Sequence, residues 1–483
     1  MEKLRLTKHQ QKAFEKLKAF TQDSDSRAFV LRGYAGTGKT TLLGKYAQWL
    51  ESGQIKPVLL ATTGRAAKVL AAKTGREAAT IHSCVYQFDE MAEGAGGAGN
   101  QLTLQFGIRK KTLYAQPVVY IVDEASMIPN TAATGGQVAK FGSGHLLIDF
   151  LQFTEGQRVV FVGDPCQLPP VSEETFSPAL SPRYLRDNYQ VAVQYAELEE
   201  IIRQEADSEI LALAGRFRSD ILAKRYVKWP KIAVPGGAQA HLYSSEHEMV
   251  KAYLKHLEKR NYDRALMITN ANSHCRRLNH KLRMHLMGNK NLVSGELLMV
   301  VQNSYLVPLM NGDQVVVKAV RPAGRKAGFN FLEVKLEDMA SGKTYQTLML
   351  RELLYNNHPG LQPEESRRLL IDFDQRMRKA GVTRKSDAYQ RNMREDPYLN
   401  ALRAKFGYVI TCHKAQGGEW PEVYLNIQKS VFGQQRNALY RWFYTALTRA
   451  SEHLYLNDNF WIEGFNKRQP KVAIRQFKKQ QRK

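Results

Sequence analysis

Apolar, β-branched runs recur along the chain with helical stretches between them: Ala28–Leu31, PVLLAT (Pro57–Thr62), PVVYIVDE (Pro117–Glu124) and RVVFVGD (Arg158–Asp164), then ALMITN (Ala265–Asn270), EVYLNI (Glu422–Ile427) and HLYLN (His453–Asn457). Alternation of this kind predicts parallel sheets with helices on both faces, and the two clusters of runs predict two α/β units. Two stretches break the pattern. From Gly295 to Leu350 the chain reads as short alternating strands broken by turns at Asn311-Gly312 and Ser341-Gly342, followed by a polar helical stretch from Leu353 to Lys405. That predicts a small β-barrel plus helices. From Phe88 to Thr112, two short runs flank GAGGAG (Gly94–Gly99), which predicts a β-hairpin with a glycine tip. The expected organisation is a first unit over 1–87 and 113–190 with the hairpin at 88–112, and a second over 191–294 and 406–483 with the barrel and helices at 295–405.

The most specific local signal is GYAGTGKTT, Gly33–Thr41, which follows the first apolar run and opens a helix. Glycines let such a loop turn its amides inward onto phosphate oxygens, and the helix N-terminus adds its positive end. Gly33, Gly36, Thr37, Gly38, Lys39, Thr40 and Thr41 form this cradle; Lys39 reaches the β- and γ-phosphates and Thr40 holds Mg²⁺. The expected ligand is a nucleoside triphosphate. Downstream, Asp123 and Glu124 end an apolar strand, where one carboxylate can serve Mg²⁺ and its neighbour the attacking water. In FVGDPCQLPPV, Phe161–Val171, Gln167 is placed to bond a γ-phosphate or its water while Pro169-Pro170 stiffens the loop.

Charge decides what kind of nucleotide-binding protein this is. Lys and Arg number 70 against 46 Asp and Glu, a net charge of +24 that suits a polyanionic partner, nucleic acid first. Cys84, Cys166, Cys275 and Cys412 stand far apart without a C-x-x-C pair, which argues against zinc and a disulfide framework. A polar N-terminus and the absence of any run of about 18 apolar residues argue against export and membrane insertion, so a cytoplasmic setting is expected.

Taken in order, these motifs resemble those of superfamily 1 helicases of the RecD and Dda branch (1B), over nearly the whole chain. LTKHQ (Leu6–Gln10) resembles the adenine-reading Q motif with Gln10 as reader, ATTGRAAKVL (Ala61–Leu70) motif Ia, and TIHS (Thr80–Ser83) motif Ib. LEEIIRQ (Leu198–Gln204) resembles motif IV, YVITCHKAQGGEW (Tyr408–Trp420) motif V and YTALTRA (Tyr444–Ala450) motif VI. Thr62 stands where the family's motif Ia usually has proline. The resemblance implies two RecA-like units, an SH3-like barrel in the second-unit insert, ATP and Mg²⁺ as cofactors, and single-stranded DNA and its junctions with duplex as partners. It further implies arginine fingers at Arg203 and Arg449, both then expected in the second unit. The implied strand contacts are Thr63, Arg65, Lys68, His82, Thr411, His413 and Lys414. The implied activity is ATP-driven 5′ to 3′ translocation with strand separation, the hairpin acting as separation pin through Phe88, Leu104 or Phe106, or anchored by them. The alternatives are an RNA helicase, a DNA-dependent ATPase that strips bound proteins, or, in another class, a nucleic-acid-binding P-loop switch without motor activity. Trp420 and Phe88 can stack on bases or lie in a core, and the basic tail Lys471–Lys483 can reach phosphates or end in solvent.

Overall fold

The computed structural model describes residues 6–93, 102–110, 114–131, 139–170, 176–200, 208–428 and 436–465. It divides into two compact units, residues 1–206 with 276–408, and residues 207–275 with 409–483.

The first unit opens with α1 (Lys8–Gln22), β1 (Ala28–Gly33), α2 (Lys39–Ser52), β2 (Lys56–Ala61), α3 (Gly64–Thr74), β3 (Ala78–Thr80) and α4 (Ile81–Val85). The paired strands β4 (Tyr86–Glu93) and β5 (Leu102–Ile108) follow, then β6 (Val118–Asp123), β7 (Ala139–Phe141), α5 (Leu146–Phe153), β8 (Arg158–Gly163), α6 (Pro182–Tyr189) and β9 (Val193–Leu198). Six strands form an all-parallel sheet in the order β3-β2-β6-β8-β1-β9. Both faces are covered. One packs Val30, Leu60, Tyr120 and Phe161 with Phe150, the other Phe29, Leu31, Ile121 and Val160 with Leu42 and Tyr46. Burial on two sides is why these strands read as unbroken apolar runs rather than as alternation. Small capping devices start the helices: the hydroxyls of Thr7, Thr63 and Thr80 accept from Gln10, Ala66 and Ser83 amides.

The second unit begins with α7 (Glu209–Leu222), α8 (Glu246–Glu258), β10 (Ala240–Tyr243), which lies between them in sequence, and β11 (Ala265–Thr269). Helix α9 (Asn272–Met287) then carries the chain back into the first unit. There it builds β12 (Leu297–Val300), β13 (Gln314–Lys326), β14 (Phe329–Asp338), β15 (Thr344–Leu350), α10 (Arg351–Tyr355), α11 (Pro363–Lys379), α12 (Asp387–Glu395) and β16 (Ala404–Phe406). Five of these are strands of one antiparallel sheet, β15-β14-β13-β12-β16, and Leu402 joins its two edges, donating to Leu348 O (2.7 Å) and accepting from Leu350 N (3.1 Å). The chain returns to the second unit through β17 (Val409–Thr411), α13 (Cys412–Ala415), β18 (Trp420–Asn426), α14 (Arg436–Leu447) and β19 (Ala450–Asn457). Its sheet is parallel, ordered β10-β19-β18-β11-β17.

Two expected boundaries shift. Strand β9 pairs along its whole length with β1, so residues 191–198 complete the first sheet instead of opening the second unit. The strand-and-helix insert over 295–405 groups with the first unit. Its apolar cluster of Phe329, Phe331, Leu369, Leu370 and Phe373 takes Phe88 and Leu104 of the β4–β5 pair against it, and removing those side chains from water favours the insert's place there. The two strands β4 and β5 pair antiparallel as expected, while the glycine tip, Gly94–Gly99, lies outside the described residues.

Candidate functional site

The carboxyl ends of β1, β2, β6 and β8 stand side by side in the first sheet, in registers that pair Ala61 with both Thr80 and Asp123 and Arg32 with Gly163. Everything that follows these strands therefore emerges along one edge, where α/β sheets bind ligands. After β1 comes the phosphate loop. Gly36 and Gly38 take φ of 78° and 72°, left-handed values that a side chain would strain. A Cβ on Gly33 would fall 2.9 Å from Lys39 Cγ and from Thr37 Oγ1. Helix α2 starts at Lys39, whose ammonium is held by the carbonyls of Gly33 (2.8 Å) and Tyr34 (3.1 Å). Thr37 is buried and donates its hydroxyl to Tyr34 O at 2.8 Å, Thr40 is half-buried and Thr41 is exposed.

Gln10 is engaged within the protein at both ends of its side chain. It is N3 of a capping box: its carbonyl accepts from Thr7 N (3.1 Å), and its amide donates to Thr37 O (3.3 Å) and Gly38 O (3.4 Å). Both ends of the side chain brace the loop against α1, so reading adenine would require exchanging those bonds. The pattern T-x-x-Q before an amphipathic helix carried this signal.

Asp123 ends β6 and is half-buried. Burial pushes its carboxyl above the usual range, opposed by the hydrogen bond from Glu124 N and by the charges of Lys39 and Lys73. Glu124 itself sits at φ 52°, ψ 35°, a left-handed conformation sparsely used by residues with a side chain. Two contacts hold that turn. Thr62 Oγ1 donates to Glu124 O (3.3 Å), and Gly163 packs so closely on the turn that a Cβ would meet Ser126 N at 3.1 Å. Thr62, where the family usually has proline, thus ties the Ala61–Leu70 motif to the Asp123-Glu124 turn by a bond proline could not make. In the next loop Asp164 Oδ1 accepts from Cys166 N (2.9 Å) and Gln167 is buried.

Buried glycine cradle, helix N-terminus, lysine and strand-end carboxylate together fit a nucleoside triphosphate with its divalent cation, Thr40 and Asp123 being the residues that would hold the ion.

The candidate strand contacts divide. Thr63 caps α3, and His82 is exposed between the rings of Tyr86 and Phe141, each 5.8 Å away. Arg65 and Lys68 are bonded instead to the insert: Arg65 Nη1 to Gln314 Oε1 (3.3 Å), Lys68 Nζ to Asp313 (2.6 Å) and Asp338 (3.2 Å). In the second unit Thr411 closes β17 beside Thr269 and is buried, and His413 and Lys414 follow on α13. Burial lowers the His413 pKa and brings that of Lys414 down to about 8, with Cys275 working the other way on the lysine. Trp420 is 1% exposed and belongs to the core.

Of the two candidate fingers, Arg203 lies outside the described residues. It follows β9 by five positions, and Leu198 pairs with Gly33, so the strand leading to it belongs to the first sheet, not the second unit as expected. Arg449 sits between α14 and β19 in the second unit. It is buried, donating from Nε to Thr445 O (3.0 Å), from Nη1 to Gly418 O (2.9 Å) and from Nη2 to Thr448 Oγ1 (3.2 Å).

A P-loop at the edge of one parallel sheet, with a second parallel-sheet unit in the same chain, defines a two-unit P-loop protein. Residues 5–228 match the family model described as an AAA domain, and residues 406–457 that of the UvrD-like helicase C-terminal domain. The ATP-dependent RecD2 DNA helicase of Deinococcus radiodurans is 34% identical over 158 residues, covering 32% of this chain and 18% of that protein. An uncharacterized protein of Methanocaldococcus jannaschii is 24% identical over 468 residues, covering 89% of this chain and 36% of its own. The chain thus spans well under half the length of these curated relatives. In fold it is similar to a structure of two coordinating Pif1 helicases at forked double-stranded DNA (TM-score 0.51, 17% identity, 99% of this chain and 97% of the other). It is also similar to Pif1 helicase from Bacteroides with ADP-AlF3 and single-stranded DNA (TM-score 0.50, 16% identity, 99% and 97%). The chain thus combines an AAA-domain match over its first part and a UvrD-like helicase C-terminal match near its end with a fold similar to that of Pif1 helicases.

Proposed function

We propose that this protein is an ATP-dependent DNA helicase that translocates 5′ to 3′ on single strands and separates duplex ahead of it. The observation that carries the reading is the single sheet edge on which the Gly33–Thr41 loop, the Asp123–Glu124 turn and Gln167 emerge, with Lys39 acting electrostatically on Asp123. In this mechanism the loop amides and Lys39 grip the phosphates, Glu124 orients the attacking water, and Gln167 senses the γ-phosphate. Thr40 and Asp123 would hold Mg²⁺, which would supply positive charge against the negative charge that phosphoryl transfer develops. Arg203 and Arg449 complete charge stabilisation, so turnover depends on the second unit presenting Arg449. Thr63, His82, Thr411, His413 and Lys414 give a sequence-tolerant track for phosphates. The β4–β5 pair, with Phe88 and Leu104 anchored at its base, serves as the separation pin, and the five-stranded sheet whose edges meet at Leu402 is the SH3-like barrel. No helix among the described residues is long and apolar enough to cross a membrane.

Strand displacement on duplexes bearing a 5′ or a 3′ overhang, in DNA and RNA side by side with ATP hydrolysis monitored, tests this directly. The expected result is unwinding of DNA from 5′ tails with ATP turnover strongly stimulated by single strands; unwinding from 3′ tails alone overturns the polarity, and turnover indifferent to DNA overturns the motor.

Lys414 adds a pH signature. A lysine whose pKa is lowered to about 8 is charged below that pH and neutral above it. Single-strand affinity is expected to fall as pH rises from 7 to 9, and Lys414→Met to flatten that dependence when both are followed by anisotropy of a labelled oligonucleotide.

A further inference from the structure

The loop between β12 and β13 is seated on α3, the helix that carries three candidate strand contacts. Gly64 begins that helix, and a Cβ on it would stand 2.0 Å from Met310 Cβ. Gly312, at φ 95°, lets the loop pass 3.4 Å from Arg65 Cβ as measured from its own would-be Cβ. One turn along, Lys68 meets Asp313 and Asp338, whose side chains are only 2% and 3% exposed. Neither carboxylate depends on Lys68 alone. Asp313 Oδ2 also accepts from Met310 N (2.7 Å), and Asp338 Oδ2 from Ser341 Oγ (2.7 Å). These bonds fix both carboxylates in the turns of the insert.

Burial works against the Lys68 ammonium, but the two carboxylates outweigh it and hold its pKa above the ordinary value, while burial raises that of Asp313. The cluster is one cation between two buried anions. Withdrawing the cation would leave those anions facing each other without compensation. A phosphate at the water-exposed rim offers only a screened partner in exchange.

We propose that Lys68 is a positioning residue rather than a phosphate ligand: through it, Asp313 and Asp338 of the insert hold α3 so that Thr63 and the start of that helix face the strand. The inference rests on the strand track proposed above. It makes the insert part of the strand-binding apparatus without the insert touching DNA at this point, and it separates two roles that one lysine in motif Ia would otherwise merge.

Salt dependence distinguishes them. Each phosphate contact on a single strand contributes about 0.7 to the slope of log affinity against log salt. Oligothymidine binding is measured by anisotropy across a salt series for the parent, Lys68→Met, Asp338→Asn and the double variant. The expected result is several-fold weaker binding by Lys68→Met with the slope unchanged, weaker binding by Asp338→Asn, and a double variant no worse than Lys68→Met. A slope reduced by about 0.7 in Lys68→Met, or tighter binding by Asp338→Asn because the ammonium is released, overturns the proposal. If Lys68→Met does not fold, Asp338→Asn decides by its sign alone. A parent that binds single strands with no salt dependence would overturn the strand track itself, and this inference with it.

Discussion

Lys39→Ala is expected to abolish ATP turnover, and Glu124→Gln to keep nucleotide binding while lowering turnover by about 10² to 10⁴. Lys39 is held on the carbonyls of its own loop, Gly33 and Tyr34, at 2.8 and 3.1 Å, close to where the phosphates must lie. Its removal takes away the only cation of the loop and one of the two lysine charges that moderate the raised pKa of Asp123, so binding and catalysis both suffer. Glutamine at 124 keeps the side-chain shape, and the left-handed turn keeps the Thr62 hydroxyl on Glu124 O and the packing of Gly163 against Ser126 N. What it loses is the charge that orients water. Fluorescent nucleotide titration and steady-state turnover, measured on the same preparations, separate the two. A Glu124→Gln protein that turns over ATP at the parent rate removes Glu124 from the mechanism.

Arg449→Ala is expected to lower kcat by about 10³ or more, with smaller change in ATP affinity, because a finger acts on charge that develops in the transition state. The structure adds a second consequence. Arg449 satisfies the carbonyl of Gly418 in a buried setting, while Thr445 O also accepts from Thr448 Oγ1, so truncation leaves the Gly418 acceptor unmet at a cost of about 1–3 kcal/mol. Thermal unfolding should therefore shift as well. Arg449→Lys discriminates: it restores positive charge without the planar fork, and is expected to recover part of the stability but little of the rate. A variant with normal kcat and a raised KM would exclude the finger role, and the same measurement on Arg203→Ala tests the first-unit finger separately.

Much of this site was legible in the sequence because its chemistry is local. The phosphate loop needs glycines within a few residues of a lysine, and the strands around it are buried on both faces, so β1, β2, β6 and β8 declared themselves as apolar runs. Strand β9, VQYAEL, did not: it is an edge strand whose residues are only partly buried, and nothing local says which sheet it joins. The partners of Lys68 were equally hidden, since Asp313 and Asp338 lie hundreds of positions away and their meeting depends on how the insert seats. Thr62 and Gln10 were read through the family's pattern, which names residue types but not the bonds this chain makes with them. The expectation that the insert belongs with the second unit failed for a related reason. It is entered from one unit, yet the side chains of Phe88 and Leu104 that pack on its apolar cluster come from the other.

The second unit is assembled from two pieces of chain, and its strand β11 pairs with β17 and β18, on the far side of residues 276–408 in sequence. During synthesis its first half must wait for the rest, on the order of ten seconds at roughly 5–20 residues per second. Throughout that interval β10 and β11 lack the strands that later flank them. The first unit meanwhile has nearly everything needed to close its own sheet. Folding is thus ordered by the path of the chain, the nucleotide-holding unit first, and the interval before β17 emerges is when an unpaired apolar edge is most exposed to misassociation.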